Sequence, residues 1–496
     1  MKSIKYILLI SVFSIFSCTK WIDYNPHDDY KITDLDYLKS ESDYQTMVVS
    51  VYSPMQWLNQ AYVIADIASD NAVTGGESAS DVLGLQQIDD FTHTPINDYL
   101  TEIWKASYEG INRANYLTQY KDANPSGEVV NFPSKEPMYG EVYFLRAYYY
   151  FMLVKFFGDV PLFTDKRLGV TDSKTLSRNS KTEVYAQIEK DLNRAIAVLP
   201  NTTNHPGRVT KYAAQALLGK VLMYQNKFDA AATMLENVIN GPYILVSDFA
   251  SMFLATGENG PESIFEVQYS NGTPYWNWNG FNRGQGNYAV QQCGIRSLSG
   301  SSPYAPGWST LLPTQELASK YSAGDQRKNA TILDIEAYKA ANPAFNIKYQ
   351  VAPYKNTGLY SQKYQPRKGE TSGQVELNYL NNHRILRLAD VLLLAAEANN
   401  RGSGGDAKAI VYLNRVRERA FGDKNHNLNL TGAALTQAIW DERRLELAME
   451  GDRFFDLVRT GQAEKLLTGF VKGKHEIFPI PQKEIEISGL AQNPNY

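Results

Sequence analysis

Apolar residues recur at helical spacing in two long parts of the chain and lose that spacing between them. From Ser42 to Asp66, residues Tyr44, Met47, Val48, Val51 and Tyr52 fall on one side of a helix, and Pro54 predicts a kink or a second piece. Trp104–Tyr120 carries Tyr108, Ile111, Ala114 and Leu117 at the same spacing. Glu141–Phe157 is apolar almost all round, which predicts a helix buried on every side. Gly158 ends it and Pro161 prevents its return. The aromatic row Tyr148–Phe151 is therefore read as core. Thr182–Leu199 and Lys211–Tyr224 form a further helical pair.

An internal repeat underlies these helices. Leu218-Gly219 followed by Tyr224–Ala231 has the tetratricopeptide arrangement: small residues where helices cross, a polar turn, an aromatic, then alanines. Leu392–Ala409 repeats it around a Gly-rich turn, and Asn414–Ala420 continues its second helix. About four such hairpins are expected to stack as a right-handed solenoid. Between Asn240 and Ala389 the periodicity fades and Gly, Pro, Asn, Ser and aromatics take over. Ser263–Tyr269 reads as a strand, Asn271–Ser309 as long loops and Leu311–Ala323 as a helix. Loops of this length in a compact protein are usually functional.

Ile439–Gly461 reads IWDERRLELAMEGDRFFDLVRTG. Glu442, Glu446 and Glu450 share one helix face, with Arg443, Arg444, Arg453 and Arg459 as compensating cations. Gly451 is expected to stop that helix after Glu450, and Asp452 to cap a second one over Arg453–Arg459. At the other end of the chain, Lys2 and Lys5 precede an apolar run from Tyr6 to Phe16, then Ser17-Cys18. That is the layout of a signal peptide, and the run is too short to span a bilayer. Ile15-Phe16-Ser17-Cys18 resembles a bacterial lipobox with Cys18 as the lipidated residue. An ordinary secretory signal with an incidental cysteine is the alternative.

The net charge of −4 argues against nucleic acid, which needs a basic face. Tyrosine is in excess, 33 residues against 20 Phe and 7 Trp, which suits half-exposed surfaces with an apolar body and a wet edge. No H-E-x-x-H, G-x-S-x-G or metal-spaced cysteine pair is present, so no cofactor and no metal are expected. Gly284-Gln285-Gly286 lacks the strand and helix cap of a nucleotide loop.

E-R-R-x-E-L-x-x-E-G-x-R-F-F-D-L-x-R, starting at Glu442, resembles the hallmark of the SusD/RagB family, the outer-membrane nutrient-binding lipoproteins of Bacteroidetes. W-x-x-x-Y-x-G-I-N-R-A-N from Trp104 and L-R-A-x-x-Y-x-x-L-x-x-x-F-G-D-V-P-L from Leu145 are similar to further family signatures, as are FPIPQKEI and the Asn493–Tyr496 tail. The resemblance implies a mainly α fold, a tetratricopeptide-like solenoid with a loop-rich ligand-binding region packed on it. It divides the chain into a signal peptide (1–17), a lipidated tether (18–40), an N-terminal helical part (41–239), a loop-rich ligand-binding part (240–385) and a C-terminal helical part with the hallmark (386–496). It implies an oligosaccharide-binding protein anchored to the outer membrane, facing outward, whose partner is a TonB-dependent transporter. Peptide cargo is the family's other implied ligand.

Asn271–Tyr288 combines Tyr275, Trp276, Trp278, Phe281 and Tyr288 with Asn and Gln side chains and Arg283. Flat rings take the apolar face of a sugar while amides and guanidinium take its hydroxyls. The plainer reading is that these rings plug the loop against the helices. Tyr304 and Trp308, in the Pro-rich stretch SSPYAPGWST, are expected to be exposed and to border the same cleft. The resemblance adds Asp66, Asp70 and Asn71 as further contacts. Two other readings stay open: a lipid-anchored glycosidase using the glutamate stripe, and a repeat scaffold that only docks proteins.

Overall fold

The computed structural model describes residues 34–169, 171–275, 284–351 and 354–496. It is mainly helical. Helix α1 (Glu41–Gln56) opens with a capping box in which Ser40 and Asp43 exchange side-chain and backbone hydrogen bonds. Pro54 lies in its last turn, and the chain restarts as the fully buried α2 (Gln60–Ile67). Next come α3 (Asp98–Gln119) and α4 (Lys135–Phe157), whose Tyr148–Phe151 row is buried as expected. The body continues with α5 (Lys181–Val198), α6 (Lys211–Met223), α7 (Phe228–Ile239), α8 (Leu388–Arg401) and α9 (Asp406–Phe421). It closes with α10 (Gly432–Leu447) and α11 (Arg453–Arg459).

From α3 to α9 each of these helices packs on the next in this order, and α1 packs on α3 and α10 on α8, so most contacts are between neighbours in a row. The repeat residues show why. A side-chain carbon on Gly219 of α6 would stand 2.6 Å from the Leu235 side chain of α7, so a larger residue here would force Leu235 to shift. Arg146 of α4 is buried and reaches both Asp191 oxygens on α5 at 2.8 Å and Asn115 on α3 at 2.9 Å. One guanidinium thereby fixes three helices.

The middle of the chain carries short antiparallel pairs: Ala72–Thr74 with Leu311–Pro313, Ser263–Val267 with His383–Arg387, and Ile332–Asp334 with Leu359–Ser361. The helix expected over Leu311–Ala323 is shorter than its pattern. Leu311 and Leu312 pair as strand, and Thr314 then caps a single helical segment, Gln315–Lys320.

The glutamate stripe forms a buried ionic lattice. Glu442 is 2.7 Å from Arg327 and 2.6 Å from Arg417. Glu446 meets Arg327 at 3.0 Å and also pairs with Arg387 and Arg419. Glu450 accepts from Arg387 at 2.8 Å and from Lys363 at 2.6 Å. The corner differs from its sequence reading. Helix α10 stops at Leu447, and Met449 and Gly451 take left-handed backbone (φ 66° and 90°). Asp66 explains the early stop: its carboxylate accepts from the Met449 and Gly451 backbone N–H groups at 3.2 and 3.0 Å, drawing the chain out of the helix. Asp452 does not cap α11 through its side chain, because its carboxylate is held by Lys220 at 2.8 Å.

A side-chain carbon on Gly451 would lie 2.6 Å from the Tyr62 Cα, in a backbone conformation that already disfavours L residues. Gly451→Ala is expected to destabilise the protein by about 2 kcal/mol or more, read as a lowered urea midpoint. Burial opposes ionisation of Glu446, yet Arg419, Arg387 and Arg327 outweigh it and hold its carboxyl well below the usual range. Glu450 and Glu397 are depressed in the same way, against burial, by Arg387 with Lys363 and by Arg459. Depressed carboxyls bind protons first in the unfolded chain, so their stabilisation is full above about pH 4.3 and is lost as pH falls through their folded values. Urea midpoints measured from pH 7 to pH 3 should fall steeply below about pH 4.

Candidate functional site

Three segments converge beside the N-terminus of α3. Asn97 caps that helix by accepting from the backbone of Tyr99 and Leu100, and its amide donates to the Gly84 carbonyl at 2.8 Å. The loop before Gly84 is thereby fastened to the start of α3, which presents Asp98, Tyr99 and Glu102. On the opposite side, Asn287 receives the Ala289 N–H and donates to the Asn381 carbonyl, setting the short helix Ala289–Cys293 together with Tyr288. The third segment runs alongside: the Trp308 and Thr310 N–H groups donate to the Gln291 and Gln292 carbonyls, both at 2.9 Å.

These segments enclose a cleft of about 460 Å³ lined by Asp81, Val82, Asp98, Tyr99, Glu102, Tyr288, Gln292, Trp308 and Thr310. Tyr99, Tyr288 and Trp308 are half-buried. The Tyr288 hydroxyl donates to Glu102 at 3.3 Å, and burial together with that carboxylate holds its phenol well above the ordinary range. Tyr99 is raised by burial and then by Glu102, Asp81 and Asp98. Arg296 ties the Asp81 loop down, donating to Asp81 at 2.8 Å and Glu77 at 3.2 Å. Gln292 and Thr310 are buried, and Gln292 Oε1 and Thr310 Oγ1 find no hydrogen-bond partner among the described residues.

A larger groove of about 1020 Å³ follows α3 further along, between Trp104, Tyr116 and the segment around Phe163. Its rings are used in packing: Trp104 and Tyr116 are buried, Tyr108 stacks on Phe163 at 5.7 Å, and the Tyr108 hydroxyl donates to the Pro161 carbonyl. In the smaller cleft Tyr99, Tyr288 and Trp308 are all only half-buried.

Of the residues expected at a ligand site, Tyr288 and Trp308 line this cleft. Tyr275 stands near Tyr288, contributing to the raised phenol there, and Asn378 holds its backbone N–H and carbonyl at 2.7 and 2.8 Å. Trp276, Trp278, Phe281 and Arg283 lie outside the described residues, as does Cys18. Tyr304 is a correction: it is buried at 6% exposure against Tyr338 and beneath Arg367, with its hydroxyl bonded to Gln362. Asp66, Asp70 and Asn71 are corrections too. Asp66 and Asn71 are fully buried, Asp66 on the corner after α10 and Asn71 on Arg444 at 2.9 Å, while Asp70 forms a two-oxygen pair with Arg453. Asp70 and Asn71 serve the arginines of the hallmark segment, and Asp66 holds the backbone of its corner. Their polar loop does reach the cleft, through Asp81 near its end. Sequence reasoning missed Tyr99, Glu102, Gln292 and Thr310. The acidic, aromatic start of α3, Asp98-Tyr99-Leu100-Thr101-Glu102, was the available signal, hidden because periodicity placed the helix start at Trp104.

Residues 261–476 match the SusD family, and residues 20–223 match the family described as "Starch-binding associating with outer membrane". A laminarin-binding SusD-like protein of known structure is 35% identical, with a TM-score of 0.83 over 92% of this chain and 100% of that one. Surface glycan-binding protein A from Bacteroides thetaiotaomicron, solved with laminarihexaose, is 29% identical, with a TM-score of 0.80 and coverage of 92% and 100%. SusD-like protein P2 of Formosa agariphila is 26% identical over the full length of both chains. This chain belongs to the SusD family.

Proposed function

We propose that this protein is a surface-displayed lipoprotein that binds oligosaccharide in the cleft of Tyr99, Tyr288 and Trp308. It passes the ligand to a TonB-dependent outer-membrane transporter, on which it sits as a lid. The observation that carries this reading is the cleft itself: half-buried aromatic rings face an opening whose floor and rim are amide, hydroxyl and carboxylate. Such rings cover the C–H face of a pyranose, and the polar groups take its hydroxyls. The names of the relatives, which bind laminarin and laminarihexaose, agree with a glycan as ligand.

Binding without turnover is the better reading of the chemistry. A retaining glycosidase needs two carboxyls roughly 5 Å apart across its cleft, one of them able to donate a proton. Glu442, Glu446 and Glu450 are buried away from the cleft, and Arg-rich surroundings keep Glu446 and Glu450 ionised. The transporter hand-over is supported by family membership, and the anchor by the lipobox-like Ile15–Cys18.

Calorimetric titration against neutral and charged glycans and peptides tests the ligand class; a peptide-only response would favour peptide cargo. Tyr288→Ala and Trp308→Ala are each expected to weaken glycan binding about tenfold or more, in line with loss of a stacking ring, while the urea midpoint stays near that of the parent. Trp276→Ala and Trp278→Ala are expected to act in the same direction. Unchanged affinity in Tyr288→Ala and Trp308→Ala together would remove this cleft from the binding site. Cys18→Ser should abolish incorporation of labelled fatty acid and release the protein from the membrane fraction; retention of the label on the variant would refute the anchor.

A further inference from the structure

We propose that the larger groove along α3 is the docking site of this chain's own N-terminal segment, residues 19–33. The proposed anchor on Cys18 then leaves the body from a fixed place, and the body keeps one orientation to the membrane. The inference is independent of which ligand fills the cleft.

The groove, about 1020 Å³, is walled by α1, α3, the segment after α4 and the short C-terminal helix Gln482–Ser488. Its walls are tied together. The Leu168 N–H donates to Asn112 Oδ1 at 3.1 Å and the Arg167 N–H to Gln119 Oε1 at 3.3 Å, both acceptors being on α3. Yet the apolar side chains of Tyr37, Met47, Tyr108, Phe163, Leu168 and Leu176 are only half-buried there, and Ile487 is 56% exposed. The helix that carries Ile487 buries none of its residues. A fixed trough that leaves this much contiguous apolar surface uncovered is a contact surface.

The chain itself supplies the occupant. Asp34–Asp36 forms a single 3-10 turn, Tyr37 is part of the groove wall, and Leu38 is locked into the core at 0% exposure. The segment before Asp34 therefore starts at the groove. Its 15 residues reach about 50 Å when extended, whereas the part of α3 from Trp104 to Tyr116 spans about 18 Å. Trp21, Ile22, Tyr24, Tyr30 and Ile32 are spread along the segment. Next to the groove, Tyr30-Lys31-Ile32 alternates apolar and polar, as an extended stretch laid on an apolar surface requires. Charge does not oppose the pairing. The segment carries Asp23, Asp28 and Asp29 with Lys20 and Lys31, and the groove carries Lys105, Arg167 and Glu484 beside the Glu109–Arg113 pair. A second copy or a free peptide must be gathered from bulk solution. This segment is held at the groove at an effective concentration on the order of millimolar, where even a weak contact closes.

The test is hydrogen exchange by mass spectrometry on the mature chain carrying Cys18→Ser, compared with a synthetic peptide of residues 19–33. Amides of residues 28–33 are expected to exchange about tenfold or more slowly in the protein than in the peptide. The Leu168→Asp/Ile487→Asp variant changes one half-buried and one exposed groove position. It should restore peptide-like exchange in the segment, while the amides of α4 and α8 and the urea midpoint keep their parental values. Tyr30→Asp/Ile32→Asp should release the segment from the other side of the contact. Peptide-like exchange in the native protein would overturn the proposal, and so would slow exchange that survives either pair of substitutions. Protection seen only with laminarin present, or only at concentrations where light scattering shows a dimer, would also overturn it, giving the groove to glycan or to a second copy.

Discussion

The structure depends on one buried carboxylate. Glu446 is completely excluded from solvent and is shared by the guanidiniums of Arg327, Arg387 and Arg419. Removing any charge from such a group leaves the others unpaired in a low-dielectric interior, which costs far more than the pairing gains over a hydrophobic alternative. The ions are therefore better understood as a device for position than as a source of net stability. They join parts of the chain that periodicity alone would leave independent: the strand His383–Arg387, helices α9 and α10, and the short segment around Arg327.

Through this lattice the irregular middle of the chain is held against the helical row. Lys363, from the loop-rich half, donates to Glu450 and to the Glu446 carbonyl, while Asp66, Asp70 and Asn71 anchor the start of the polar loop to the same corner. With its first residues fixed, that loop crosses to the N-terminus of α3, where Asn97 fastens its far end at Gly84. The cleft is thus made of loops whose ends are tied to rigid elements, the usual way a scaffold positions a binding surface. Its rings are held from behind by the Asn287 side chain, which donates to the Asn381 carbonyl, and by the Gln291 and Gln292 carbonyls, which accept from Trp308 and Thr310.

The ionic frame and the cleft answer opposite requirements. Within the frame, Glu446 and Glu450 are surrounded by cations that outweigh burial and hold them ionised. At the cleft, Asp81 is paired with Arg296, which also meets Glu77, and Glu102 accepts from the Tyr288 hydroxyl.

Helical periodicity by itself determined the helical body, because a residue three or four positions away is a neighbour on any α-helix whatever the tertiary fold. The all-round apolarity of Glu141–Phe157 placed α4 at the core, and the Leu218-Gly219 repeat located the close crossing of α6 and α7. The spacing of Glu442, Glu446 and Glu450 gave the ionic stripe, but not its partners Arg327, Lys363 and Arg387, which lie 59 to 119 residues away along the chain. Tertiary structure alone decided which aspartates are sealed and which line the cleft: Asp66 and Asp81 belong to one polar loop, yet the first is buried under Gly451 and the second lines the cleft. It also ended α10 early and turned Leu311–Leu312 into strand, since a backbone N–H taken by a distant carboxylate or a partner strand is no longer available to the helix. Short-range pattern fixes which face of an element is apolar; which distant group meets its polar face is settled only when the chain has closed.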